Sequence, residues 1–185
     1  MGDQKFQRKK YSTPRHPWEK DRIDSERELL IKYGLKNKRE LWRAQTILTN
    51  FRTQARTLQA KLRYNDPFAM KQFQLLIGKL SRLNLLSENA TLDDVLSLNI
   101  EDILERRLET LVYKKNLALT MKQARQFITH GHIKVNDRVV TIPSFMVEKS
   151  MEDSITYNDT SPFMDDKHPL RIEMSENTAK EEENE

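Results

Sequence analysis

The sequence predicts an α+β protein, with a mainly helical N-terminal lobe built on a helical hairpin. A small module of two helices packed on a short β-sheet is expected to follow. Three observations carry this expectation. Leu41, Ala44, Leu48, Phe51, Ala55, Leu58 and Leu62 are spaced 3, 4, 3, 4, 3, 4, one continuous stripe along a long helix. Asp66-Pro67 then restarts a helix, with Asp as N-cap and Pro at the first helical position. Beyond Gly131 the pattern changes to Ile133, Val135, Val139, Val140 and Ile142 around Asn136-Asp137-Arg138, a hairpin signal. Four units are expected: a basic extended arm over 1–18, a helical lobe over 19–105, the module over 106–164, and a C-terminal extension with an acidic disordered tail over 165–185.

In the arm, Pro14 and Pro17 forbid a regular helix. Two readings stay open: a disordered tail, or an arm that orders on a partner, for which Tyr11 and Trp18 speak. A first helix over 19–33 closes at Gly34, and the striped helix runs from about Lys36 to Arg63. The next helix, with Phe73, Leu76, Leu80 and Leu83 on its packing face, lies back along it and ends in the Leu-rich 83–86. Thr91 to Asp94 is a capping box with Asp in place of Glu and starts a short helix. Asn99 to Asp102 repeats the device and starts a helix expected to reach about Lys115. Asn116 ends it in the left-handed region, Thr120 caps a helix over 121–130, and Gly131 stops it. Residues 145–157 read as a further strand region.

Composition narrows the function. The chain of 185 residues has no cysteine, so disulfides and thiolate metal sites are excluded. Its glycines are 2, 34, 78 and 131, too scattered for a phosphate-cradling loop. No serine sits in a glycine elbow. His130 and His132 lack a third ligand at a sensible spacing. Asp93 and Asp94 diverge on their helix and are ordinary first-turn acids. No enzyme, metal or cofactor is expected. No apolar run suggests a membrane span or a signal peptide, and a cytoplasmic protein is expected.

Charge points to a polyanion. Residues 1–80 hold 19 Lys/Arg against 8 Asp/Glu, whereas residues 165–185 hold 3 against 8. The arm offers Lys5, Arg8, Lys9, Lys10, Arg15, His16 and Trp18. Off the apolar stripe of the long helix lie Arg39, Arg43, Arg52, Arg56 and Arg63. Any one of these arginines needs no more than a solvated surface; the set, with few acids beyond Glu40, points to phosphate. The module adds Arg106, Arg107, Lys114, Lys115, Lys122, Arg125, Gln126, His130, His132 and Lys134. Lys122 and Arg125 are expected to share a helix face, with Met121, Ala124 and Ile128 packing opposite. Leu108, Leu111 and Phe127 are expected in the core.

Residues 107–143 resemble the S-four RNA-binding module: Arg-Leu-Glu, Leu-Ala, Thr-x-x-x-Ala-Arg-Gln, His-Gly-His-Ile-x-Val-Asn, then Pro143. YSTPRHPW, YGLKNKRELWRAQ, TLDDVLSLNIEDILERRL and YNDTSPF extend the resemblance to the archaeal and eukaryotic branch of the S-four family of small-subunit ribosomal proteins. The resemblance implies binding to the five-prime region of small-subunit ribosomal RNA and an early role in subunit assembly. It also implies a place beside the S-five family protein near the messenger entry path, with influence on decoding accuracy. Carried over by position, it implies RNA contact at Arg107, Lys122, Arg125, Gln126, His130, His132 and Lys134. Asn116 and Asp137 depart from the family, which commonly has glycine there; both residue types tolerate turns. Two rivals are an assembly factor that binds precursor RNA through the same module, and an RNA-modifying enzyme, for which no catalytic constellation is present.

Overall fold

The computed structural model describes residues 8–64, 66–165 and 168–173. Helix α1 (Lys20–Lys32) ends at Gly34, whose φ of +60° is the left-handed value expected of a terminating glycine. A Cβ there would sit 2.8 Å from Cβ of Met121, so glycine is also required by close approach of the module. Asn37 caps α2 (Lys38–Leu62), its side chain accepting from Glu40 N. The predicted stripe is buried from Leu41 to Leu58, with Leu62 half-buried at the end.

Asp66 caps α3 (Pro67–Arg82), which buries Ala69, Leu76, Ile77 and Leu80 against α2. The Thr91–Asp94 box starts α4 (Leu92–Ser97): Thr91 N donates to Asp94 Oδ2 at 2.8 Å, and Asp94 N returns to Thr91 Oγ1 at 3.4 Å. Asn99 N donates to Asp102 Oδ2 at 2.7 Å and starts α5. One expectation fails here. The helix from Asn99 does not continue to Lys115; it breaks into α5 (Ile100–Glu105) and α6 (Leu108–Lys114). The reason is tertiary. Arg107 leaves helical geometry to bridge Met146, and Leu108 N and Glu109 N donate to the carbonyls of Phe145 and Pro143. The returning chain thus supplies acceptors that a continuous helix would have taken from within.

Asn116 (φ +55°) turns the chain into α7 (Met121–Thr129), capped by Thr120, and Gly131 (φ +78°) stops it. Strand β1 (Ile133–Val135) pairs antiparallel with β2 (Arg138–Val139) and with β3 (Thr156–Tyr157), in the order β2-β1-β3. The two-residue loop Asn136-Asp137 has φ of 48° and 59°, the paired positive values of a type I′ hairpin turn. The strand expected over 145–157 shrinks to β3 and the Met146 bridge, with a 3-10 turn at Lys149–Met151 between them.

Two apolar cores result. One gathers buried residues from Tyr33 to Leu104, the other from Leu108 to Tyr157, including Ala124, Phe127 and Ile128. They part at Arg106 and Arg107, yet Met121 and Met146 of the module pack on the helical core. The lobes therefore share a packed seam.

Candidate nucleic-acid interface

The predicted contact residues fall into three groups. The first lies open. Arg39, Arg43, Arg56, Arg63, Lys122, Gln126 and His130 are exposed. None of the five Lys/Arg among them has a carboxylate partner among the described residues. At 3.6 residues per turn, Arg39 and Arg43 share one side of α2, while Arg52, Arg56 and Arg63 lie about 140° away. Arg52 is half-buried because its Nη2 donates to the carbonyl of Leu98, the C-cap of α4. On α7, Lys122, Gln126 and Thr129 share the solvent side opposite Ala124 and Ile128.

The second group sits on the surface but is already paired. Lys114 meets Glu105 at 2.9 Å, and Lys134 meets Asp159 at 2.8 and 3.0 Å. His132 Nδ1 lies 3.0 Å from Ser161 Oγ, its ring against Phe127 and Phe163. Burial, then the neighbouring His130, lowers its pKa. The two histidine rings stand 6.3 Å apart. Lys115 is the exception in this group: it is half-buried and has no carboxylate partner among the described residues.

The third group is internal, against the expectation that it would present its charge to a ligand. Arg106 is buried, with Nη2 on Glu152 at 2.9 Å and on the carbonyl of Val147 at 3.3 Å. Arg107 is buried too, donating from Nη2 to Glu40 Oε2 at 2.8 Å and Glu109 Oε2 at 3.2 Å. Arg125 grips Glu40 with both amino groups, Nη2 to Oε1 at 2.6 Å and Nη1 to Oε2 at 3.1 Å, and Nη1 lies 3.4 Å from Glu109 Oε2. Helix spacing puts Lys122 and Arg125 near one another, but only the tertiary fold sets Arg125 opposite acids from two other elements.

Electrostatics within this quartet are asymmetric. Burial works against ionising Glu40, but the bonds from Arg125 and Arg107 outweigh it and hold the carboxyl below its usual range. Glu109 is fully buried and its Oε1 has no hydrogen-bond partner; burial pushes it up to about 7 in spite of Arg107 and Arg125. A cleft of about 120 Å³ opens beside the quartet, lined by Arg43, Ile47, Ser144 and Met146 among others.

In the arm, Tyr11 stacks on Trp42 at 6.0 Å, Ser12 N donates to Thr46 Oγ1 at 3.2 Å, and Arg22 Nη2 donates to the carbonyls of His16 and Pro17. The described part of the arm, residues 8–18, thus touches α1 and α2 through few groups. Arg8, Lys9, Lys10, Arg15 and His16 are exposed, as is Trp18 at 90%, a free aromatic face suited to stacking a base. Lys5 lies outside the described residues. Sequence reasoning missed Lys71, Lys79 and Arg82, exposed on the outer side of α3. Their 71, 75, 79, 82 spacing, shared with exposed Leu75, was the available signal.

Taken together, these observations define a two-lobed α+β protein in which the open cations Arg39, Arg43 and Lys122 flank an internal ion cluster at the lobe seam and others lie further along α2, a class suited to holding a large polyanion. Comparison narrows the class to a family. Residues 5–105 match the Ribosomal protein S4/S9 N-terminal domain, and residues 106–153 match the S4 domain. The chain is 92% identical to the small ribosomal subunit protein uS4 of Picrophilus torridus over 185 residues, covering 100% of both chains. The uS4 protein of Thermoplasma volcanium is 61% identical over 92% of this chain and 86% of its own. That of Nanoarchaeum equitans is 50% identical over 95% and 97%. The chain belongs to the uS4 family of small ribosomal subunit proteins.

Proposed function

We infer that the protein is a structural component of the small ribosomal subunit that binds its ribosomal RNA directly. The observation that carries this is end-to-end membership in the uS4 family. The geometry supports it: Arg39 and Arg43 of α2 and the Lys122/Gln126 side of α7 flank the same seam, so one folded RNA can meet both lobes. Residues 19–105 and 106–164 act as two lobes on that RNA. The arm over 1–18 adds cations and Trp18.

The partner is the five-prime region of small-subunit ribosomal RNA, with the S-five family protein as a neighbour. The protein works by binding, at an early stage of subunit assembly, and supports decoding accuracy from its place in the cytoplasmic ribosome. Direct contacts come from Arg39, Arg43, Arg56, Arg63, Lys122, Gln126 and His130 and from the arm. Arg106, Arg107 and Arg125 contribute through the seam.

Two measurements test this. The full chain is expected to bind a transcript of the five-prime region more tightly than unrelated RNA of equal length. It is also expected to stay with mature small subunits in high-salt gradients. Equal affinity for both RNAs, or release into the soluble fraction, would defeat the reading.

A further inference from the structure

Among the described residues, two carboxylates of the helical lobe reach the module: Glu105, which meets Lys114 on the surface, and Glu40, which alone of the two meets buried and half-buried guanidinium groups. Its position is set locally: Asn37 caps α2 through Glu40 N, placing Glu40 in the first turn at the edge of the buried stripe. From there its two oxygens receive three hydrogen bonds from two guanidinium groups. Those groups arrive on separate elements. Arg107 is the N-cap of α6, anchored by its backbone bridge to Met146, and Arg125 projects from α7. Glu109 holds the same pair from the module's own side.

Buried ion pairs add little net stability over apolar packing, because desolvation offsets their attraction. Their best-attested use is to specify one arrangement over its neighbours. Bidentate carboxylate–guanidinium pairing is directional, which suits it to fixing an angle. The residues adjoining the pair are three open cations and one open amide. Arg39 and Arg43 flank Glu40 by one and three positions, and Lys122 and Gln126 flank Arg125 by three and one.

We propose that Glu40 is a positioning residue for RNA binding: by chelating Arg107 and Arg125 it fixes the angle at which the Arg39/Arg43 side of one lobe meets the Lys122/Gln126 side of the other. Glu40 does not touch the RNA. The proposal rests on the RNA-binding reading above and adds a sign that simple charge counting reverses. Removing a negative charge from a cationic surface strengthens attraction for any polyanion. Loss of a positioning group weakens binding to the one RNA whose shape spans both lobes and spares RNAs that do not.

The test uses the full chain as wild type, Glu40→Gln, Glu40→Asp and Glu109→Gln. Each is titrated at fixed salt with the five-prime transcript and with an unrelated RNA duplex of equal length, and its thermal unfolding is recorded. Glu40→Gln is expected to lower the preference for the transcript on the order of tenfold, while duplex binding holds or tightens and folding is kept. Glu40→Asp keeps the charge but withdraws the carboxylate by one methylene; it is expected to show an intermediate loss. Should Glu40→Gln fail to fold, this variant decides the matter. Glu109→Gln, which removes no bond between lobes, is expected to keep the preference. Transcript binding that tightens or stays constant in both Glu40 variants overturns the proposal, because Arg107 and Arg125 would then gain nothing from being held. Equal weakening on both RNAs, in step with lost thermal stability, also overturns it, since Glu40 would then serve folding alone. A wild type that shows no preference defeats the RNA reading itself and the proposal with it; a wild-type preference that survives Glu40→Gln defeats only the proposal.

Discussion

Helix α2 and the seam side of the module use arginine in opposite ways. Along α2, four of the five predicted arginines stand in solvent, and Arg52 alone turns back to cap α4. In the module, Arg106, Arg107 and Arg125 all end on carboxylates of the protein itself. The difference lies in what covers each backbone. A long helix packed on one stripe leaves its other sides bare, so a guanidinium there keeps its hydration. Arg106 and Arg107 sit where the chain passes between two cores and is covered from both. A charge in such a place persists only when paired. Cationic character in a sequence therefore does not by itself mark a ligand-facing group; the density of structure around the backbone decides.

The largest test of this contrast compares Arg107→Ala with Arg43→Ala. Breaking the buried quartet is expected to cost about 3–5 kcal/mol, because Glu109 is left with a weaker counter-charge. The open arginine is expected to change stability by less than about 0.5 kcal/mol. Denaturant unfolding of both variants measures this, and comparable losses would erase the distinction between α2 and the seam.

The reverse order is expected for RNA. Arg39→Glu, Arg43→Glu and Lys122→Glu together should leave the unfolding midpoint nearly unchanged and weaken transcript binding strongly. The slope of log affinity against log salt should fall by about 0.7–0.9 for each phosphate no longer neutralised. An unchanged slope would move the RNA surface elsewhere, with the outer side of α3 as the next place to look.

The seam should also respond to pH through Glu109. Its folded pKa of about 7 exceeds the ordinary 4.5, so the fold favours the neutral acid. The sign follows: its contribution to stability is full below about 4.5 and is lost as pH rises through 7. Glu40 is held below its usual range and acts in the opposite sense, losing its contribution as pH falls through its folded value. Glu109→Gln removes only the first effect. Its stability relative to wild type should rise between those two pH values by about 1–3 kcal/mol and then level off. A stability difference that stays flat with pH would mean that Arg107 and Arg125 fully offset the burial of Glu109.

The smallest effect is expected from the arm. Its described residues touch the folded body through the Tyr11–Trp42 stack and a few hydrogen bonds, so deleting residues 1–18 should cost no more than about 1.5 kcal/mol. Transcript binding should fall more than stability does. A large drop in unfolding temperature would make the arm part of the core instead.

The elements read most accurately from sequence are those specified by neighbours in the chain. Asp66-Pro67, Thr91 with Asp94, Thr120, Gly34, Asn116 and Gly131 each satisfy or end a helix within a few residues, and the stripe of α2 needs only its own period. The family was legible for the same reason, since its motifs are short contiguous runs. The elements misread depended on distant partners. Nothing near Arg107 announces that the carbonyls of Phe145 and Pro143 will take the amide protons of Leu108 and Glu109 and split one helix into two. The same holds for 145–157, whose apolar residues serve the core more than a ladder.

For the site, the sequence by itself determined which residues carry charge and which helix side each occupies, because periodicity and side-chain chemistry are local properties. Only the tertiary structure decided which of those charges face outward. Arg107 is 67 residues from Glu40 and Arg125 is 85, so their meeting depends on how two cores dock. At the seam, packing from both sides leaves a guanidinium dependent on acceptors from the protein, here carboxylates and a backbone carbonyl, whereas on the bare sides of α2 solvent already serves.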